Sequence, residues 1–268
     1  MARLEVNGIQ IHWEALGDGE PVVFLNGVLM TTQSWRLQTS VISRRYRCIM
    51  HDFRGQLRSD KPLQPWTIEE HARDLEALLD HLDIDSCHLV GTSYGGEVGM
   101  LFATTCPERV KSLSVISSVN EVGPDVDRTV AEWRRAALEA PETLYRIMLP
   151  TTFSPEFASL NPKLIRQGEE RLRSCPPEFF PAFARLVDAF RRLDITPQLE
   201  RIRSPTLVMV GEQDVLKSPR YSRIIADRIP GSELVVIPEA GHAVILEKPS
   251  EVNSCLLEFL GKHRDSVT

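Results

Sequence analysis

Cys87-His88-Leu89-Val90-Gly91-Thr92-Ser93-Tyr94-Gly95-Gly96 is an apolar run that breaks into a turn of small residues carrying one serine. In a Gly-x-Ser-x-Gly turn between a strand and a helix, the flanking glycines let the backbone bend sharply. The serine hydroxyl then projects above the sheet, and the next residue's N–H faces any oxyanion formed there. Gly91 and Gly95 hold those two positions. A tight packing turn, or a phosphate site at a helix N-terminus, would use the same small residues. The sequence on either side therefore decides between these readings.

Upstream, Leu4 and Val6, then Ile9, Ile11 and Trp13 alternate about Asn7-Gly8, the signature of an antiparallel hairpin. Pro21 to Leu25 and Tyr46 to Phe53 are continuous apolar runs, as strands buried on both faces should be. Between them a helix is expected from about Thr32 to Arg44, with Trp35, Leu37 and Val41 on its buried side. Thr67 and Glu70 form a capping-box pattern before a second helix, in which Leu75, Leu78, Leu79 and Leu82 recur at helical spacing. Downstream, Gly95 to Thr105 reads as a helix and Val110 to Ile116 as a strand. Alternation of strand and helix argues for a mainly parallel sheet covered on both faces.

That rhythm stops near Val119 and resumes at Pro205. The interval has helical patterns broken by prolines and carries Trp133, Tyr145, Phe153, Phe157, Phe179, Phe180, Phe183 and Phe190. It reads as a helical insertion at 119–203 folded over a core domain built from 1–118 and 204–268. Most of these aromatics should form the insertion's own small core. A few, Trp133 and Phe153 among them, are expected to face a cleft and contact substrate. After Pro205 to Val210, a helix through Tyr221 to Ile229, a strand at Glu233 to Ile237 and an amphipathic helix from Pro249 to His263 complete the chain.

Ligands bind beyond the carboxyl ends of the strands in such a sheet. Ser93, Asp214 and His242 each follow the end of an expected strand. A serine alcohol needs an imidazole to accept its proton, and the imidazole needs a carboxylate to hold its tautomer and stabilise its charged form. Alone, Asp214 could cap a turn and His242 could be a loop histidine bonded to backbone. Glu121, just past the Val110 to Ile116 strand, is a rival acid. Oxyanion donors are expected from the Tyr94 N–H and from the Val28 N–H behind the Asn26-Gly27 turn.

Composition is compatible with this chemistry. The chain has 268 residues, 42% hydrophobic and 25% charged, within the range of a globular enzyme. With 31 basic and 37 acidic residues its net charge is −6, which disfavours a non-specific nucleic-acid binder. Five dispersed cysteines show no C-x-x-C pair or metal-ligand cluster, so free thiols, no metal and a reducing compartment are expected. The N-terminus lacks a signal-peptide pattern, and no run approaches the ~18 apolar residues of a membrane span. The expectation is a cytoplasmic protein with no membrane partner.

Taken together, Phe24-Leu25-Asn26-Gly27 with Trp35, Asp52-Phe53-Arg54-Gly55 through Ser59-Asp60-Lys61-Pro62, the Ser93 turn, Pro107-Glu108-Arg109-Val110, Gly211-Glu212-Gln213-Asp214, and Gly241-His242 with Glu247-Lys248-Pro249 resemble the α/β-hydrolase superfamily. The resemblance covers nearly the whole chain. It implies an α/β fold with a mostly parallel eight-stranded sheet, helices on both faces, a helical cap, a serine nucleophile and no cofactor. The chain departs from most members at Asn26-Gly27, where His-Gly is usual, and at Gly55-Gln56-Leu57, where many have Gly-His-Gly. Asn26 with Trp35, and Trp66-Thr67-Ile68-Glu69-Glu70, are similar to the 3-oxoadipate enol-lactonase branch, which makes Asn26 a candidate substrate contact. The expected partner is a small ester or lactone, and scattered apolar residues in the insertion leave room for a homodimer. Carbon–carbon bond hydrolysis, perhydrolysis and non-catalytic ligand recognition are the alternatives on the same fold.

Overall fold

The computed structural model describes residues 2–264. Its strands are β1 (Ala2–Val6), β2 (Ile9–Leu16), β3 (Glu20–Leu25), β4 (Tyr46–His51), β5 (Cys87–Thr92), β6 (Val110–Ile116), β7 (Thr206–Gly211) and β8 (Glu233–Ile237). They form one sheet in the order β1-β2-β4-β3-β5-β6-β7-β8. The β1–β2 and β2–β4 pairs are antiparallel and every later pair is parallel. Asn7 and Gly8, with φ of 47° and 76°, make the tight turn of the opening hairpin.

The helices are α1 (Arg36–Ile42), α2 (Ile68–His81), α3 (Tyr94–Thr105), α4 (Pro124–Glu139), α5 (Leu144–Thr152), α6 (Pro155–Leu160), α7 (Pro162–Arg173), α8 (Phe179–Phe190), α9 (Pro219–Arg228), α10 (Val244–Glu247) and α11 (Pro249–Lys262). Alternation along β3 shows how the layers form. Val23 and Leu25 join the apolar cluster with α2 and α3, whereas Val22 and Phe24 join Trp35, Ile42 and α11 on the opposite face. All six residues of β5 and of β7 are buried, which explains their unbroken apolar sequences. No helix among the described residues is long and apolar enough to cross a membrane.

Helices α4 to α8 lie between β6 and β7. The two ends of this insertion are zipped together: the Ile195 N–H donates to Asn120 O at 2.9 Å, the Val122 N–H donates to Leu193 O at 3.2 Å, and the backbones of Glu121 and Asp194 pair as an isolated antiparallel bridge. Val130 and Trp133 of α4, with Phe183 and Leu186 of α8, continue the same buried cluster that contains α3. The insertion's aromatics therefore pack onto the sheet domain as well as onto one another.

One expected helix has a different register. A 3-10 turn over Thr32–Trp35 precedes α1, and the buried positions are Trp35, Gln38, Thr39 and Ile42, with Leu37 and Val41 only partly covered. Gln38 is buried because its Nε2 donates to Ile245 O at 2.9 Å, a partner more than two hundred residues away. Another polar tie holds the loop after β4: Arg54 forks onto Asp74 of α2 at 2.6 and 2.7 Å.

Helix α3 approaches β3 so closely that a Cβ on Gly95 would overlap the carbonyls of Leu25 and Asn26, while a Cβ on Gly261 of α11 would meet nothing within 4 Å. Gly95→Ala should therefore lower unfolding stability by at least about 3 kcal/mol. Gly261→Ala should leave it unchanged or raise it by less than about 1 kcal/mol. Urea-unfolding midpoints of the two variants measure the contrast.

Candidate active site

Ser93 sits between β5 and α3 with φ 52° and ψ −121°, a conformation that costs an L-residue energy and persists only where its surroundings enforce it. Here they do. The Ser93 N–H donates to Ile116 O at 2.8 Å, and its carbonyl accepts from the Gly96 N–H at 2.9 Å and the Ser118 hydroxyl at 2.9 Å. A side chain on Gly91 would collide with the Gly95 backbone, so the turn closes only because both positions are glycine.

Asp214 and His242 reach the same point from the loops after β7 and β8. His242 Nδ1 lies 2.8 Å from Asp214 Oδ2, and His242 Nε2 lies 3.0 Å from Ser93 Oγ. A carboxylate can only accept, so Nδ1 carries the proton and Nε2 is left to accept from the serine hydroxyl. Asp214 is 2% exposed, and its Oδ1 accepts the N–H groups of Leu216 and Lys217 at 3.0 and 2.8 Å. Glu121 remains at the neck of the insertion, where its backbone pairs with that of Asp194 in an isolated antiparallel β-bridge.

The histidine loop has its own anchor. Glu247 accepts from the Gly241 N–H at 3.1 Å and from the N–H and hydroxyl of Ser154 at 3.0 and 2.6 Å, while the Ala243 N–H donates to Thr152 O at 2.8 Å. Across the crevice, Gly27 O accepts from the Met30 N–H and from Gln56 Nε2, each at 3.3 Å. These bonds orient the Gly27–Val28 peptide. Among the described residues, no acceptor takes the N–H of Val28 or Tyr94.

A cavity of about 20 Å³ lies above Ser93, with Val28 and Tyr94 at its floor, α4 and α8 as its roof, and Leu216 and Lys217 at one side. Trp133 lines it, and its Nε1–H is buried with no partner among the described residues. The other two expected substrate contacts lie elsewhere. Asn26 is fully buried, accepting from Trp35 Nε1 at 2.8 Å and donating to Asp52 Oδ1 at 3.3 Å. Phe153 stacks on Phe157 at 5.5 Å, next to the Gly241 turn.

Sequence reading overlooked a buried ion pair beside the cavity. Lys217 Nζ lies 2.8 and 2.9 Å from the two oxygens of Glu97, which also accepts the Val119 N–H at 2.9 Å. Burial pushes the Glu97 carboxyl above its usual value and the Lys217 ammonium below its own, while their mutual attraction opposes both shifts. A glutamate in an otherwise apolar helix, and a lysine three residues after Asp214, were the available signals.

Comparison with known proteins gives the family of the fold. The model of the alpha/beta hydrolase family matches residues 22–254. A protein of Azorhizobium caulinodans that bears the name carbamate hydrolase is 27% identical, over 94% of this chain and 95% of its own length. A 3-oxoadipate enol-lactonase of Acinetobacter baylyi is 28% identical, over 93% and 92% respectively. The solved structure of a thermophilic esterase from Thermogutta terrifontis superposes with a TM-score of 0.88 at 29% identity, covering 98% of this chain and all of the esterase.

The placement of Asn26 has a measurable consequence. Asn26→Ala should cost about 1–3 kcal/mol of stability, because the Trp35 indole N–H is left buried without an acceptor. Denaturant unfolding checks the value, and loss of activity without loss of stability would contradict this structural role.

Proposed function

We propose that this chain, which belongs to the alpha/beta hydrolase family, is a serine hydrolase that cleaves a carboxylic ester or lactone through an acyl-enzyme on Ser93. The observation that carries the reading is the Ser93–His242–Asp214 relay, with contacts of 3.0 and 2.8 Å. In this mechanism Ser93 Oγ attacks the substrate carbonyl while His242 Nε2 takes its proton. Asp214 Oδ2 accepts from Nδ1–H and stabilises the imidazolium that forms. The Val28 and Tyr94 N–H groups receive the developing oxyanion. His242 then protonates the departing alcohol or lactone oxygen. A water deprotonated by the same nitrogen attacks the acyl carbonyl, releases the acid and restores the serine.

Trp133 and the apolar side chains of α4 and α8 would enclose the acyl group and exclude bulk water. The carbamate, lactone and ester chemistries in the relatives' names all begin with attack on an acyl carbon, which supports the mechanism while leaving the leaving group to be tested. Five thiols, none paired among the described residues, suit the cytoplasm.

A panel of p-nitrophenyl esters, lactones and carbamates tests the reading. Ser93→Ala should lower kcat by about 10⁴-fold or more on whichever members turn over, and should abolish labelling by a fluorophosphonate. Equal rates with and without the hydroxyl would rule the mechanism out. Gln56→Leu should reduce kcat about tenfold with little change in KM, because it frees the Gly27–Val28 peptide to tilt without removing its N–H. An unchanged kcat would show that the Met30 bond suffices to orient that peptide.

A further inference from the structure

Lys217 is only 3% exposed, yet it borders the cavity that contains Ser93. An ammonium has three N–H donors. Two are engaged by the two oxygens of Glu97, at 2.8 and 2.9 Å. Among the described residues the third has no oxygen acceptor, and Nζ lies 4.5 Å from the ring centroid of Phe190, which also borders the cavity. Among the described residues, apart from Ser93 and Tyr94, the polar residues around this cavity are Lys217 and Trp133, whose side chains can only donate. An occupant must therefore bring the acceptor.

The charge balance specifies what kind of acceptor. Lys217 and Glu97 form a pair of zero net charge, and the Asp214 carboxylate lies on the same loop as Lys217. A substrate carboxylate would add a further negative charge in a dry site where the one ammonium is already matched, a costly arrangement. A purely aliphatic chain would desolvate the third N–H and give it nothing in return. A neutral carbonyl oxygen avoids both penalties.

We infer that Lys217 is a specificity-determining residue whose third N–H, which has no oxygen acceptor among the described residues, binds a neutral acceptor oxygen, a ketone or amide carbonyl, on the acyl part of the substrate. The inference rests on the ester or lactone reading above. It selects neutral oxo-acyl or acylamino-acyl substrates over both dicarboxylic and plain alkyl ones.

Three nearly isosteric p-nitrophenyl esters test it: pentanoate, 4-oxopentanoate and hemisuccinate, with hexanoate, 5-oxohexanoate and hemiglutarate as a set one carbon longer. The wild-type protein should favour an oxo ester over its alkyl counterpart in kcat/KM by about fivefold or more in at least one set, with the acid poorest in both. In Glu97→Met/Lys217→Met, the oxo-to-alkyl ratio should fall to about one whatever happens to the absolute rate. Glu97→Gln/Lys217→Met, which keeps an acceptor for the Val119 N–H, serves if the first variant does not fold. Turnover and fluorophosphonate labelling of Ser93 with no oxo preference in either set would overturn this inference alone. A preference that survives both substitutions would remove Lys217 from it. Failure of the wild-type protein to turn over any ester or lactone, together with no fluorophosphonate labelling, would overturn the hydrolase reading and this inference with it.

Discussion

The backbone at Ser93 is the constraint on which the rest of the site depends. A serine at φ 52° is held there because its N–H must reach Ile116 O while α3 presses against β3. That approach is possible only where Gly91 and Gly95 carry no side chain. The strain is offset by the parallel sheet itself, since β5 is buried along its whole length and its neighbours supply the acceptors. Relaxing the turn would mean moving α3, and with α3 much of the apolar cluster that joins the sheet to the insertion. The hydroxyl is thus positioned by packing spread over the molecule.

Around this fixed point, polar groups meet that come from far apart in the chain, and each is anchored by something other than its neighbour in the relay. Asp214 is gripped by the Leu216 and Lys217 N–H groups, and its loop is tied to α3 by the Glu97–Lys217 pair. Glu247 and the Ala243 N–H fasten the histidine loop to the segment between α5 and α6. Gln56 and Met30 orient the Gly27–Val28 peptide. A hydrogen-bonded relay loses effect with small misplacements, so buried anchors behind each member are what its geometry requires.

The sheet, its strand ends and the residues of the relay were legible because they are written in local pattern: unbroken apolar runs, a glycine-framed turn, and acid and base just past strand ends. What could not be read depends on distant partners. Gln38 looks like a surface residue until Ile245 O is brought to it, which is why α1 buries Gln38 and Thr39 and leaves Leu37 and Val41 only partly covered. Asn26 was expected to contact substrate on its resemblance, with Trp35, to the enol-lactonase branch; in the structure Trp35 and Asp52 occupy its amide. Glu97 and Lys217 are 120 residues apart, and neither position alone announces a buried charge. Local periodicity reports which face is apolar; it cannot report which polar side chain finds a partner inside.

The cavity over Ser93 also separates two functions of the insertion. At about 20 Å³ it has room for about one water molecule, so any larger occupant enters only if a wall shifts. Its roof is α4 and α8, held by apolar contacts and by a few polar ties, among them the Tyr221 hydroxyl donating to Asp125 at 2.7 Å. The segment bonded to the histidine loop is a different one, Thr152 to Ser154 at the α5–α6 junction. Apolar contacts slide at modest cost, whereas buried hydrogen bonds to a carboxylate are expensive to break. The roof over Ser93 and the stretch that fixes His242 are thus held by different kinds of contact.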